Sequence, residues 1–184
     1  MEHMPSFNRA LVEKYDRPGP RYTSYPTAPH FHTHFVIDNY KAAAARSNEA
    51  PAKDISLYIH IPFCKSLCYY CACNKIITQK TSRAVEYLDY LKKEIQLQAE
   101  LFDKNRKVTQ LHFGGGTPTY LTGEQLADLM ACLGEAFNLD SSDDRQFSME
   151  VDPRTISPEQ LKHLRELGFN RLSFGVQDFD PDVQ

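Results

Sequence analysis

The chain has 184 residues, 21 Lys and Arg against 24 Asp and Glu, a formal net charge of −3, 41% hydrophobic and 24% charged content. This excludes a wholly disordered chain and a general attraction to nucleic acid, and it suffices for one ordinary domain with a sizeable core. No basic region followed by an apolar run and a cleavage site stands near the N-terminus, and no stretch approaches the roughly 18 apolar residues of a membrane span, so a cytoplasmic protein without membrane or nucleic-acid partners is expected.

Residues 1–52 read as an irregular leader. Its stretch RPGPRYTSYPTAPHFHTHF has prolines, glycine and scattered aromatics that fit neither the helix nor the strand period, and only NYKAAAARSN looks helical. His30, His32 and His34 alternate there without a second set of ligands, which reads as a surface loop. Residues 53–184 then alternate strands with helices. The first strand, SLYIHI, sets Leu57, Ile59 and Ile61 against Tyr58 and His60 and stops at Pro62. A cysteine-rich loop follows, then a helix over Ser82–Phe102 with Ala84, Leu88, Leu91 and Ile95 on one stripe. The strand VTQLHF runs into GGGTP, and Thr122 with Gln125 forms a capping box ahead of Leu126, Leu129, Met130, Leu133 and Phe137. The strand QFSMEV carries Glu150 on the face opposite Phe147, Met149 and Val151. Ser157, Pro158 and Gln160 open another helix, which Gly168 closes before the strand RLSFGV.

Strands separated by helices of this length form parallel sheets, so the expected fold is α/β: a partial (β/α) barrel behind the leader. In such folds the chemistry lies on loops leaving the C-terminal strand ends. The cysteine loop, GGGTP, Glu150 and Gln177 all fall on that rim. The final stretch DFDPDVQ announces a helix at Asp180 and Pro181 and stops three residues later, so the barrel reads as truncated after about four strands, with the last one left as an edge.

Four of the five cysteines lie between Cys64 and Cys73. Disulfides are disfavoured by a reducing compartment and by the tight spacing. The CxxxCxxC at Cys64, Cys68 and Cys71 can place three thiolates on one iron-sulfur cubane and leave its fourth iron open, whereas a structural zinc would take all four including Cys73. Zinc sites more often pair two separated knuckles, and Cys132 lies inside a predicted helix as a small buried residue. The GGGTP turn suits either a ligand carboxylate or a tight strand-to-helix connection, and Glu150 and Gln177 are weak signals when taken singly.

The strand followed by CxxxCxxC, with Tyr70 just before the last cysteine and a glycine-rich turn after the second strand, resembles the radical S-adenosylmethionine (SAM) superfamily. A finer resemblance, carried by GPRYTSYPTA, YIHIPFC, NKI, GGGTPTYL, EVDPR and NRLSFGVQDF, is to the oxygen-independent coproporphyrinogen III oxidase family. It implies that Cys64, Cys68 and Cys71 bind a 4Fe-4S cluster and that Cys73 does not. It implies further that Tyr58, Tyr70, Gly115 and Glu150 contact one SAM molecule, and that Gly116, Thr117 and Gln177 contact a second. The implied reaction is a radical SAM oxidation. A deoxyadenosyl radical takes a hydrogen atom from a propionate of coproporphyrinogen III, carbon dioxide leaves, and an external acceptor removes the remaining electron to give a vinyl group; two rounds give protoporphyrinogen IX in heme biosynthesis. The electron donor and acceptor stay unassigned. Arg21 is a candidate partner for a substrate propionate. The competing readings are a related heme chaperone and a zinc-stapled interaction module.

Overall fold

The structure, a computed structural model, describes residues 7–18, 25–69, 71–154, 156–176, 178–180 and 182. It divides into two compact units, Met1–Tyr40 and Lys41–Gln184. The elements in chain order are α1 (Arg9–Tyr15), a 3-10 turn (Ala28–His30), α2 (Ile37–Ser47), β1 (Ile55–Ile61), β2 (Phe63–Cys64), β3 (Ile76–Ile77) and α3 (Ser82–Ala99). They continue with β4 (Lys107–Gly115), a second 3-10 turn (Pro118–Tyr120), α4 (Gly123–Ala136), β5 (Asn138–Leu139), β6 (Gln146–Val151), α5 (Pro158–Glu166) and β7 (Arg171–Phe174).

The leader is more regular than its composition suggests. Its α1 is capped by the Asn8 side chain, which accepts from the Leu11 amide, and is braced by an Arg9–Glu13 ion pair one turn apart. No residue of α1 is buried, so it carries no apolar stripe from which a helical period could be read. His30, His32 and His34 are exposed.

In the second unit, β1, β4, β6 and β7 form a parallel sheet in that order, with β5 paired to the start of β4. This is the open, partial (β/α) barrel expected. One face is apolar: Ile59 and Ile61 of β1, Leu111 and Phe113 of β4, and Phe147, Met149 and Val151 of β6 are buried in one core. Leu88, Leu91 and Ile95 of α3, Leu126, Leu129 and Leu133 of α4 and Leu164 of α5 complete that core. A register shift between Ile55 and Ser56 gives β4 one residue more than β1, which lets Val108 turn inward beside Ile55 ahead of the regular alternation.

The other face is polar along every strand. Ser56, Gln110 and Gln146 lie side by side in register, as do Tyr58, His112, Ser148 and Arg171; His60 lies beside Gly114, and Glu150 beside Ser173. Fully covered parallel sheets carry apolar residues on both faces, so a polar face marks the wall of a wet groove. That groove has a volume of about 580 Å³, and Tyr58, His112 and Ser148 line it.

Both expected capping boxes are present. The Thr122 and Ser157 hydroxyls accept from the Gln125 and Gln160 amides, and the two glutamine side chains accept from the capping residues' own amides. Gly168 closes α5 with a φ of +98°, in the left-handed region that favours glycine. Other elements differ from expectation in their bounds or existence. The α3 helix ends at Ala99, β7 ends at Phe174, and β2 with β3 forms a two-residue parallel ladder too short to show a period. Cys132 lies in α4 half-buried at the border of the core, where it accepts from Gln96, and is not enclosed.

Leu133 is fully buried, so Leu133→Ala should lower unfolding stability by about 2–5 kcal/mol, whereas Thr122→Ala, which removes one cap, should cost about 1 kcal/mol. Urea unfolding of both variants checks the ranking; equal midpoints would show that the sheet does not depend on this core.

Candidate functional site: the cysteine loop and the strand-end turn

The chain leaving β1 is held on two sides. The Gly116 and Thr117 amides donate to the Ile61 and Phe63 carbonyls at 2.8 and 2.9 Å. From the far end of the loop, the Ile76 and Thr78 amides donate to the Pro62 and Cys64 carbonyls at 2.7 and 3.0 Å. A Cβ at Gly116 would come within 2.8 Å of the Pro62 carbonyl group and the Phe63 oxygen, which are backbone atoms that cannot yield cheaply. The loop between β2 and β3 is therefore closed at its base and projects from the strand end.

Inside the loop, the Cys71 amide donates to the Cys68 carbonyl, Lys75 Nζ donates to the Cys71 carbonyl, and Gln79 donates to the Lys65 carbonyl. His60 spans β1 and the loop: one ring nitrogen lies 3.0 Å from the Tyr58 hydroxyl and the other 3.0 Å from the Asn74 carbonyl. Gly115 has a φ of +113°, and a Cβ there would lie 2.7 Å from the His60 ring. The glycine turn is thus required first by packing against β1 and His60.

All five cysteines are free thiols. Burial pushes the Cys64 thiol up, with nearby Cys71 and Cys68 adding to the rise and the Thr117 hydroxyl, 3.5 Å away and donating to Cys64 Sγ, opposing it. Cys71 is pulled below the usual thiol range, chiefly by a hydrogen bond from the Cys73 backbone. Cys73 is pushed up by burial and by Cys71. On the exposed side, Arg154 Nη2 points at Cys68 Sγ from 3.9 Å.

Glu150 reaches the turn from β6. Its Oε2 accepts from the Gly115 amide at 3.1 Å, and its Oε1 lies 3.5 Å from His112 Nε2. The other His112 nitrogen lies 2.6 Å from Ser148 Oγ, and the ring stacks on Tyr58 with centroids 5.8 Å apart. Burial, with Glu150 nearby, pushes the Tyr58 hydroxyl up.

The structure therefore brings Tyr58, Cys64, Cys68, Cys71, Gly115, Gly116, Thr117 and Glu150 to one strand-end rim. Tyr70, Gln177 and Arg21 lie outside the described residues. The reason given for the glycines changes, because the amides of Gly115, Gly116 and Thr117 are already engaged within the chain. Sequence reasoning missed His60, His112, Ser148 and Arg154. Strict polar alternation in strands of a parallel sheet was the available signal for the first three; Arg154 had none, since its target is 86 residues away.

Among the described residues no three His, Cys, Asp or Glu side chains converge closely enough to hold a single metal ion. Thiolates on one zinc at about 2.3 Å crowd to within about 4 Å of one another, whereas cysteines on separate irons of a cluster stand wider apart. Cys64, close enough to feel both Cys68 and Cys71 on the same loop, together with the side-chain donors at the Cys64 and Cys68 sulfurs, gives a donor set that fits such a cluster.

A family model described as the radical SAM superfamily matches residues 58–184. The chain is 51% identical over 183 residues to the oxygen-independent coproporphyrinogen III oxidase of Salmonella typhimurium, covering 100% of this chain and 39% of that one. A sequence of the same name from Mannheimia haemolytica is 52% identical over 144 residues, covering 78% of this chain and 94% of its own length. A solved structure of coproporphyrinogen III oxidase from Escherichia coli, described as a radical SAM enzyme, superposes with a TM-score of 0.84 at 49% identity, covering 97% of this chain and 38% of that one. The chain thus spans about two-fifths of the length of the Salmonella and Escherichia relatives. By these matches the chain belongs to the radical SAM superfamily, and within it to the oxygen-independent coproporphyrinogen III oxidase family.

Proposed function

We propose that the chain holds a 4Fe-4S cluster on Cys64, Cys68 and Cys71 and SAM beside it, and that it serves the oxidative decarboxylation of two coproporphyrinogen III propionates to vinyl groups. The observation that carries this reading is the trio of loop thiols, met by donors from the turn after β4 and the segment after β6, at the end of a polar sheet face. The relatives' names supply the substrate, and their greater length makes the complete reaction a proposal for a chain of their extent. When bound, the two groups supply one-electron cleavage of a sulfonium and hydrogen-atom abstraction from the substrate.

The residues of this chain bind and orient. Glu150, fixed by the Gly115 amide and flanked by His112, offers an anionic acceptor to the ammonium or ribose hydroxyls of SAM, with Tyr58 next to it. Tyr70 contacts the same molecule, while Gly116, Thr117 and Gln177 serve a second one. His60 ties the loop to β1 through the Asn74 carbonyl. Cys73 takes no part in ligation, and the upward push that burial and Cys71 give its thiol runs in the same direction. Among the described residues no helix is long and apolar enough to cross a membrane, and a cytoplasmic location fits chemistry that needs reduced thiols.

Anaerobic reconstitution tests the ligand set. Cys64→Ala, Cys68→Ala and Cys71→Ala should each lose the iron and acid-labile sulfide that Cys73→Ala retains; zinc without sulfide in the unaltered chain would end the reading. For SAM, Glu150→Gln keeps the shape and removes the charge, so binding measured by equilibrium dialysis on the reconstituted chain should weaken roughly tenfold or more, as expected for loss of a charge-assisted bond of about 1.5–3 kcal/mol. Unchanged affinity would remove Glu150 from the site.

A further inference from the structure

The three cluster thiols do not have equivalent surroundings. Cys64 Sγ accepts from the Thr117 hydroxyl, and the Cys71 sulfur accepts from Cys73 within the loop. Cys68 is the exposed one of the three, and its sulfur is met from outside the loop by a guanidinium.

That guanidinium is not a freely swinging surface group. Arg154 Nε donates to Asp152 Oδ1 at 3.0 Å and Nη2 to Asp152 Oδ2 at 2.8 Å, while the Arg154 amide also donates to Asp152 Oδ1 at 3.0 Å. Asp152 follows directly on β6, where the sheet sets its position. The two-pronged clamp turns the arginine back across the strand end and aims Nη2 at Cys68 Sγ, 3.9 Å away. The Asp152 side chain is 18% exposed, against 60% for Arg154. The anchor is thus largely shielded, while the positive end is presented to the sulfur.

A donor at a ligand sulfur matters most for redox chemistry. Reduction adds one electron to the cluster and puts more negative charge on its sulfurs, and a fixed N–H dipole with a positive charge behind it stabilises that state over the oxidised one. We infer that Arg154, clamped by Asp152, is a positioning residue that raises the reduction potential of the cluster by donating to the Cys68 sulfur. The inference rests on the proposed cluster reading and deepens it. In this role Arg154 sets how readily a low-potential one-electron donor can load the cluster.

The test is an anaerobic potentiometric titration with dithionite and mediators, followed by electron paramagnetic resonance, on the reconstituted chain, Arg154→Gln, Arg154→Lys and Asp152→Asn at matched iron content. At the midpoint of the unaltered chain, the ratio of reduced to oxidised cluster should fall about tenfold in Arg154→Gln, which for one electron is a shift of about 59 mV to more negative potential. Arg154→Lys keeps the charge without the fork and should fall between. Asp152→Asn leaves the arginine in place but loosens its aim, so it should move the midpoint the same way, and it keeps the test alive if Arg154→Gln does not fold. A cluster of normal iron content whose midpoint is the same in all four proteins overturns the inference and leaves the cluster reading standing. Failure of the unaltered chain to take up iron overturns both.

Discussion

The site depends on one close approach of backbone to backbone. Where β1 ends, the amides of Gly116 and Thr117 bond to the Ile61 and Phe63 carbonyls, in the place where a side chain at residue 116 would stand. The parallel pairing of β1 with β4 is thereby carried two residues past the sheet, and the first cysteine leaves from a fixed point. The β2–β3 ladder closes the other side, so a 15-residue excursion from Cys64 to Thr78 begins and ends at almost the same place. Closing such a loop costs conformational entropy, and four backbone hydrogen bonds at its base offset part of that cost.

The two faces of the sheet explain why the site faces a groove. Helices α3, α4 and α5 bury the apolar face, which stabilises the unit through the contiguous core. The opposite face carries Ser56, Tyr58, His60, Gln110, His112, Gln146, Ser148, Glu150 and Ser173, which satisfy one another laterally through Ser56–Gln110, His112–Ser148 and Arg171–Gln146 pairs. A polar wall of this kind needs no helix over it. It rises from amide and hydroxyl side chains near the strand starts to His60 and Glu150 near the strand ends, where the loop thiols stand.

What could be read from the sequence follows from how local each feature is. Capping boxes at Thr122 and Ser157 are settled within four residues, and the four long strands announce themselves by alternation, so both were legible. The thiol spacing was legible too, because one loop holds it. The α1 helix was not, since a two-turn helix that buries nothing leaves no periodic trace, and β2 with β3 depends on a chain return that no window of a few residues contains. In the site, Glu150 could be suspected from its place at a strand end. The contacts of Thr117 with Cys64, His112 with Ser148 and Arg154 with Cys68 span 53, 36 and 86 residues, and only the register of the folded sheet brings them together.

The pair Cys71 and Cys73 shows how backbone geometry can divide labour between identical side chains. In sequence only Ala72 separates them, they are chemically alike, and spacing alone leaves both as metal ligands. In the fold, the Cys73 amide points at the Cys71 sulfur and favours its thiolate, while burial and the neighbouring Cys71 disfavour ionisation of Cys73. Metal binding requires the deprotonated thiol, so these opposite directions run the same way as the proposed ligand set of Cys64, Cys68 and Cys71, in which Cys73 takes no part. A loop that presented both sulfurs equally would invite a fourth ligand and fill the open corner on which a small-molecule ligand depends. The asymmetry between two adjacent thiols is thus the local counterpart of the open iron that the proposed chemistry requires.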